Sequence, residues 1–146
     1  MISDLELARR ELKEKNLSLV ISNSGKIIFE SKSEGISDFL YAIEKYGEEL
    51  KGSSIADSVV GKAVAMLCRY AKVSAVFAST ISERGVEALK KGKIYFEFEK
   101  MVPTIMNKRK DDVCPFEKLV AGLEDEVECY QKIKEFLEGL NRSKGT

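Results

Sequence analysis

Serine residues stand at two places where the sequence becomes helix-forming, and there they could bind a small molecule. Ser79 and Ser82 follow the apolar run 73–78, and Ser54 is the second residue of the segment 53–68. We interpret 53–68 as a buried core helix, because its apolar residues go nearly all the way round. Backbone N–H groups and the helix dipole at a helix start bind anions. The sequence therefore predicts an anion pocket at these starts, although serine there is equally well explained as a plain helix cap.

Two carboxylates have the spacing of a capping box. Asp57 lies three residues after Ser54, and Glu83 lies three residues after Thr80. Each acid would stabilise the positive end of its helix. Carboxylates with a perturbed pKa also serve as catalytic acids and bases. Asp57 is therefore interpreted either as a capping residue or as a catalytic acid.

Lys62 is the cationic candidate of the same segment. On the predicted helix it lies about 140° from Asp57 and lines up with Ser58 and Arg69. That alignment describes either a ligand contact or the solvated edge of a helix. The preceding Gly61 costs about 1 kcal/mol in a helix interior relative to alanine. We therefore expect another group or a ligand to approach the backbone closely at Gly61.

A further set of candidates lies in the last third of the chain. Asn107 and Arg109 fall in an irregular, basic stretch and could supply polar contacts. Cys114 precedes a proline at a predicted helix start, where the thiolate form is favoured. It is interpreted either as a nucleophile or as an inert cap. Cys68 and Cys129 fall within predicted helices and are interpreted as packing residues.

Composition excludes several chemistries. The 146 residues include 24 lysines and arginines, 24 aspartates and glutamates, and no histidine. The neutral balance argues against nucleic acid and anionic membranes as partners. Without histidine there is no Ser–His or Cys–His nucleophile pair and no metal site of the usual His-containing kinds. We expect neither a metal nor another cofactor.

Location follows from equally simple features. The amino terminus carries charges where a secretion signal would be apolar, and no stretch approaches the ~20 apolar residues of a membrane span. Three cysteines without a Cys-x-x-Cys pair argue against a disulfide framework. We therefore expect a cytoplasmic protein that contacts no membrane. The partner that we expect, from the predicted anion pocket, is a small anionic molecule. The sequence leaves a homo-oligomer open.

The elements that must position these residues alternate between helix and strand. Helices are predicted at 3–15, 36–50, 53–68, 80–92, 115–120 and 125–140, and strands at 17–22, 26–31, 73–78 and 94–98. This order favours the α/β class, as a three-layer sandwich with a mixed sheet of four or five strands and helices on both faces. Residues 1–140 are predicted to form one domain and residues 141–146 a flexible tail. The irregular stretch 104–113 is compatible with a further strand at 104–106.

Three stretches resemble a small prokaryotic family of unknown function that has the cytidine deaminase-like fold. They are Asp-Ser-Val-Val-Gly-Lys-Ala at 57–63, Val-Pro-Thr-Ile-Met-Asn at 102–107 with Arg109, and Cys-Pro-Phe-Glu-Lys at 114–118. The resemblance covers about residues 5–136. It implies the fold but no activity, because none is established for the family.

The deaminase motifs themselves are replaced. In that fold one helix opens with His-Ala-Glu and the next with Pro-Cys-x-x-Cys. The resemblance places Ile55, Ser79 and Ser82 where the zinc ligands stand and Asp57 where the glutamate stands. Zinc-dependent deamination needs imidazole and thiolate ligands, so this activity is not expected.

Two hypotheses follow from different classes of function. The first is a ligand-binding domain or non-zinc enzyme, whose anionic or nucleotide-like ligand rests on the predicted helix starts. The second is an inactive scaffold or protein-interaction module on the same fold. Ligand-induced thermal stabilisation distinguishes the two.

Overall fold

The structure, a computed structural model of the chain, describes residues 2–33 and 35–144. Its strands are β1 (Leu19–Asn23), β2 (Lys26–Ser31), β3 (Ser54–Val60), β4 (Ala75–Ser82) and β5 (Tyr95–Val102). They form one sheet in the order β2-β1-β3-β4-β5. β1 is antiparallel to both of its neighbours, whereas β3, β4 and β5 are parallel. The predicted α/β class with a mixed sheet is confirmed.

Helices connect and cover the strands. They are α1 (Asp4–Glu14), α2 (Ser37–Tyr46), α3 (Lys62–Ala71), α4 (Glu83–Lys91), α5 (Pro115–Val120) and α6 (Glu126–Lys144), with a 3-10 helix at Gly47–Leu50. The predicted strands 17–22 and 26–31 correspond to β1 and β2, which form a hairpin, and Ser24 and Gly25 at its turn have positive φ angles of 53° and 78°. Within the described part, no helix combines the length and the apolar character that crossing a bilayer requires.

The two faces of the sheet carry separate hydrophobic clusters. Ile55 and Val76 belong to the larger cluster, whereas their neighbours Ala56 and Phe77 belong to the smaller one. Because successive side chains of a strand point to opposite faces, the clusters lie on opposite sides of the sheet. The apolar stripe of α1 completes the smaller cluster, and α2, α3, α4 and α6 contribute to the larger one. The result is the predicted three-layer arrangement.

The predicted core helix at 53–68 is wrong in its first half. Residues 54–60 form the central strand β3, and the helix α3 begins only at Lys62. A parallel strand that is buried on both faces has a nearly continuous apolar sequence, which periodicity alone cannot distinguish from a buried helix. The predicted capping box of Ser54 and Asp57 is therefore wrong, since both residues lie in β3.

Smaller differences concern the ends of elements. Thr80 lies within β4 and does not cap α4; the cap is Ser82. The stretch 104–106 adds no strand to the sheet in the described residues, and Met106 forms only an isolated bridge with Val113. α6 continues to Lys144, past the predicted boundary at residue 140. Residues 145 and 146 of the predicted tail lie outside the described residues.

Candidate functional site

The starts of α3 and α4 lie side by side at the carboxyl ends of β3 and β4. A Cβ atom on Gly85, in the first turn of α4, would lie 2.9 Å from the carbonyl oxygen of Val60 and 3.3 Å from the carbonyl carbon of Gly61. Only glycine, which has no side chain, allows so close an approach. In open α/β sheets, ligands bind at this edge of the parallel strands.

Glu117 of α5 occupies the anion position at the start of α3. Its Oε1 accepts a hydrogen bond from the N–H of Lys62 at 2.7 Å, and its Oε2 accepts one from the N–H of Ala63 at 2.9 Å. A Cβ atom on Gly61 would lie 2.4 Å from Oε1. The predicted close approach at Gly61 is thus confirmed, although Gly61 precedes the helix instead of lying inside it. A carboxylate of the chain itself thus accepts the hydrogen bonds that the N–H groups of this helix start would offer to a bound anion.

Ser82 performs the same task at the start of α4. It is buried, and its Oγ accepts a hydrogen bond from the N–H of Gly85 at 3.0 Å. Ser79 lies within β4, three residues before the strand ends. Of the two serines predicted at this turn, only Ser82 is at the helix start, where it acts as a cap.

A groove of about 230 Å³ lies between α3 and α4, beside these helix starts and next to the loop 121–125. Its walls include apolar atoms of Met66 and Ala88. Its charged side chains are those of Lys62, Arg69, Arg84, Lys91, Glu87 and Glu124. Four cations against two carboxylates give the groove a positive balance. Arg69 is also paired with Glu126, at 3.1 Å.

Lys62 is the most enclosed of these cations, with a side chain that is 10% exposed. Its Nζ donates one hydrogen bond, to the carbonyl oxygen of Ala121 at 3.2 Å. Oε1 of Glu124 lies 3.7 Å from Nζ, which is within range of an ion pair but beyond hydrogen-bond distance. An ammonium group has three N–H donors. Among the described residues, two of them lack a hydrogen-bond acceptor.

Asp57 lies on β3, on the same face of the sheet as the larger cluster. Its partners in register are Leu19 and Ala78, both members of that cluster. Burial raises the pKa of Asp57 from an ordinary 3.8 to about 7, opposed by hydrogen bonds from the N–H groups of Val59 and Ser58. A carboxyl group with this pKa can exchange protons near neutral pH.

The remaining predicted site residues lie away from the groove. Ser54 is the first residue of β3, at the opposite end of the strand from α3. Asn107 binds Asp111 through its side chain, and Arg109 is exposed in the same turn. Cys114 precedes the six-residue helix α5, as predicted, but its side chain makes no capping hydrogen bond. None of these four predicted residues lines the groove.

The three cysteines differ in burial. Cys68 in α3 and Cys129 in α6 are fully buried, whereas Cys114 is partly exposed. Burial, and then the nearby charge of Asp57, raise the pKa of the Cys68 thiol well above its usual value. Burial also raises the pKa of Cys129, to about 11. The interpretation of Cys68 and Cys129 as packing residues is confirmed.

Four charged residues in and beside the groove are not among those predicted from the sequence: Arg84, Lys91, Glu117 and Glu124. One signal was present: Lys62 and Arg69 are seven residues apart, as are Arg84 and Lys91. Residues seven apart lie on the same face of a helix, so two successive helices present paired cations. The alignment of Lys62 with Arg69 was predicted, but its counterpart on α4 was not.

Fold and site together describe a class: an α/β protein with a mixed five-stranded sheet whose parallel strands end beside a groove lined mainly by charged side chains. The sequence model of a family described as a domain of unknown function, DUF1893, matches residues 7–137, and the chain belongs to this family. A crystal structure of a DUF1893 family protein from Thermotoga maritima is similar, with 29% identity and a TM-score of 0.83 over 92% of this chain and 91% of that chain. The predicted family of unknown function is confirmed.

More distant structures are also similar over part of the chain. RibD from Acinetobacter baumannii has 21% identity and a TM-score of 0.47, over 66% of this chain and 33% of its own. A diaminohydroxyphosphoribosylaminopyrimidine deaminase/5-amino-6-(5-phosphoribosylamino)uracil reductase from Thermotoga maritima has 16% identity and a TM-score of 0.48, over 71% of this chain and 34% of its own. No curated protein matches the chain.

Proposed function

We propose that this protein binds a small molecule carrying a phosphate group in the groove between α3 and α4. The observation that carries the proposal is Lys62, whose side chain is largely buried and lines the groove while its Nζ makes one hydrogen bond to the protein, to the carbonyl oxygen of Ala121. Its nearest carboxylate, that of Glu124, lies at 3.7 Å. An anion that enters the groove can accept further hydrogen bonds from Lys62, and Arg84 and Lys91 add positive charge on the α4 side.

The groove replaces the location predicted from the sequence. Glu117 and Ser82 already accept hydrogen bonds from backbone N–H groups at the starts of α3 and α4. An anion therefore finds more available hydrogen-bond donors and positive charge beside these helix starts than on them. The predicted contact at Lys62 is retained. Ser54, Ser79, Asn107 and Arg109 are not part of this proposal.

Titration calorimetry with pyrophosphate tests the proposal. In Lys62→Met we expect at least a tenfold weaker Kd, about 1.4 kcal/mol, while the control Lys132→Met, on the exposed side of α6, leaves Kd unchanged. The affinity should also fall as salt is added, because salt screens charges at the protein surface. Equal affinities of Lys62→Met and the unchanged protein would exclude the groove as the binding site.

We also infer that any chemistry at this site does without zinc. By position in the fold, the residues that open α3 and α4 are 61–63 and 82–85, not 55–57 and 78–82. They offer glycine, lysine, alanine, serine, glutamate and arginine, a set that does not fit a zinc site. Within the described part of the chain, no group of three or more Cys, Asp or Glu residues could hold a metal ion. Elemental analysis tests this inference, and stoichiometric zinc in the purified protein would contradict it.

An interaction module is the second candidate, and β5 is the observation that favours it. This edge strand leaves Tyr95, Phe98 and Met101 between 40% and 59% exposed. Unpaired strand edges with apolar side chains are sites of association. Sedimentation equilibrium tests this candidate: an oligomer that Phe98→Lys dissociates supports it, and a monomer at all concentrations argues against self-association.

A further inference from the structure

Glu124 stands where the ligand would have to bind. Its carboxylate lies between two cations of the groove, with Oε1 at 3.7 Å from Nζ of Lys62 and Oε2 at 3.4 Å from Nζ of Lys91. These two ammonium groups lower the pKa of Glu124, Lys62 having the larger effect. The side chain is 69% exposed. A bridging carboxylate at the mouth of the groove is therefore held by charge and not by enclosure.

The contrast with Glu117 separates a fixed carboxylate from a displaceable one. Glu117 is buried and accepts two backbone hydrogen bonds of 2.7 and 2.9 Å. Glu124 makes one long hydrogen bond, to Lys91 at 3.4 Å, and none to Lys62. It lies in the loop 121–125, which joins α5 to α6. Moving its side chain breaks few contacts.

We infer that Glu124 is an internal competitor of the ligand, and that a phosphate group displaces its carboxylate and takes over the contacts with Lys62 and Lys91. The inference rests on the proposed function. A phosphate group carries up to two negative charges and has more acceptor oxygens than a carboxylate, so it can bridge both ammonium groups in a groove that Arg84 also lines. The ligand class is therefore a phosphate or diphosphate compound, not a monocarboxylate.

The test compares Glu124→Gln with Glu87→Gln in calorimetric titrations with pyrophosphate. Both variants remove one negative charge from the groove, but among the described residues the Glu87 carboxylate pairs only with Lys91, at 3.1 Å. Competition predicts that Glu124→Gln tightens binding about tenfold, the fold-change of 1.4 kcal/mol, and that Glu87→Gln tightens it clearly less. Acetate should compete with pyrophosphate weakly in all three proteins.

The outcomes are distinguishable. If both variants tighten binding equally, general electrostatics explains the effect and the competitor role is overturned. If Glu124→Gln binds pyrophosphate no tighter than the unchanged protein, the role is also overturned while the proposed function stands. If none of the three proteins binds pyrophosphate, the inference and the proposed function fall together.

Discussion

Replacing Asp57 with asparagine should change how stability depends on pH. The carboxyl group of Asp57 has a pKa of about 7 in the folded protein and an ordinary value of 3.8. Between these values the folded protein binds more protons than the unfolded chain, so the free energy of unfolding falls as the pH rises. Above about pH 7 the effect is complete. Asparagine, which does not titrate, removes this contribution.

The magnitude follows from the two pKa values. A difference of about 3, at about 1.4 kcal/mol for each pKa unit, gives about 4 kcal/mol as an upper limit. Asp57 is partly exposed, and solvent screening makes the effect smaller than this limit. Asparagine keeps a carbonyl oxygen in place of the Oδ1 atom that accepts the N–H of Val59 at 3.1 Å. We therefore expect Asp57→Asn to be more stable than the unchanged protein at about pH 8 and to lose this advantage towards pH 4.

Urea denaturation of both proteins at several values between about pH 4 and pH 8 measures the difference. Other carboxylates, such as Glu124, contribute equally to both proteins and cancel. Asp57→Ala serves as the control, since it removes the acceptor together with the charge. A difference in stability that is constant over this range would show that Asp57 titrates at its ordinary pKa, and the reasoning from burial would be refuted.

Three further predictions concern packing and exposure. Gly61→Ala should lower the free energy of unfolding by roughly 2–4 kcal/mol, because the added Cβ displaces the Glu117 carboxylate from its two backbone hydrogen bonds. The control is Gly122→Ala, whose added Cβ meets nothing within 4 Å and should change the free energy of unfolding by no more than ~0.5 kcal/mol. Ser53→Ala should raise the free energy of unfolding by about 1 kcal/mol, since the buried hydroxyl has no hydrogen-bond partner in the described residues. The urea midpoint should therefore rise, and a lower midpoint would contradict this prediction. Iodoacetamide should label Cys114 before the two buried cysteines in the folded protein, and simultaneous labelling would contradict the packing.

Local signals were sufficient for much of the fold. The hairpin is predictable because Asn-Ser-Gly at 23–25 suits a tight turn. The predicted helix 3–15 corresponds to α1, which Ser3 caps, its Oγ accepting a hydrogen bond from the N–H of Glu6 at 3.1 Å. β3 was misassigned because it is buried on both faces and therefore lacks the alternation of a half-buried strand. The boundary between β3 and α3 is at Gly61. The apolar pattern does not indicate this boundary, because apolar residues continue on both sides of it.

The site was predictable only in part, because its contacts are not local. Lys62 and Glu117 are 55 residues apart, and the loop 121–125 lies beside the groove because α5, which precedes it, packs against α3. Ser82 was identifiable from its place after an apolar run, and it is a cap. Ser54 failed as a helix start because the helix itself was misplaced. The second cation pair, on α4, resembles an ordinary solvated helix face in the sequence.

A titration followed by two-dimensional amide NMR tests the central claim, phosphate binding in the groove, most directly. On adding pyrophosphate, saturable shifts should appear in the first turn of α3, along α4 from Arg84 to Lys91, and in the loop 121–125, with one dissociation constant for all of them. Lys62→Met should weaken the response at the same amides. Shifts confined to residues 107–114, or shifts that rise without saturating, would contradict the account.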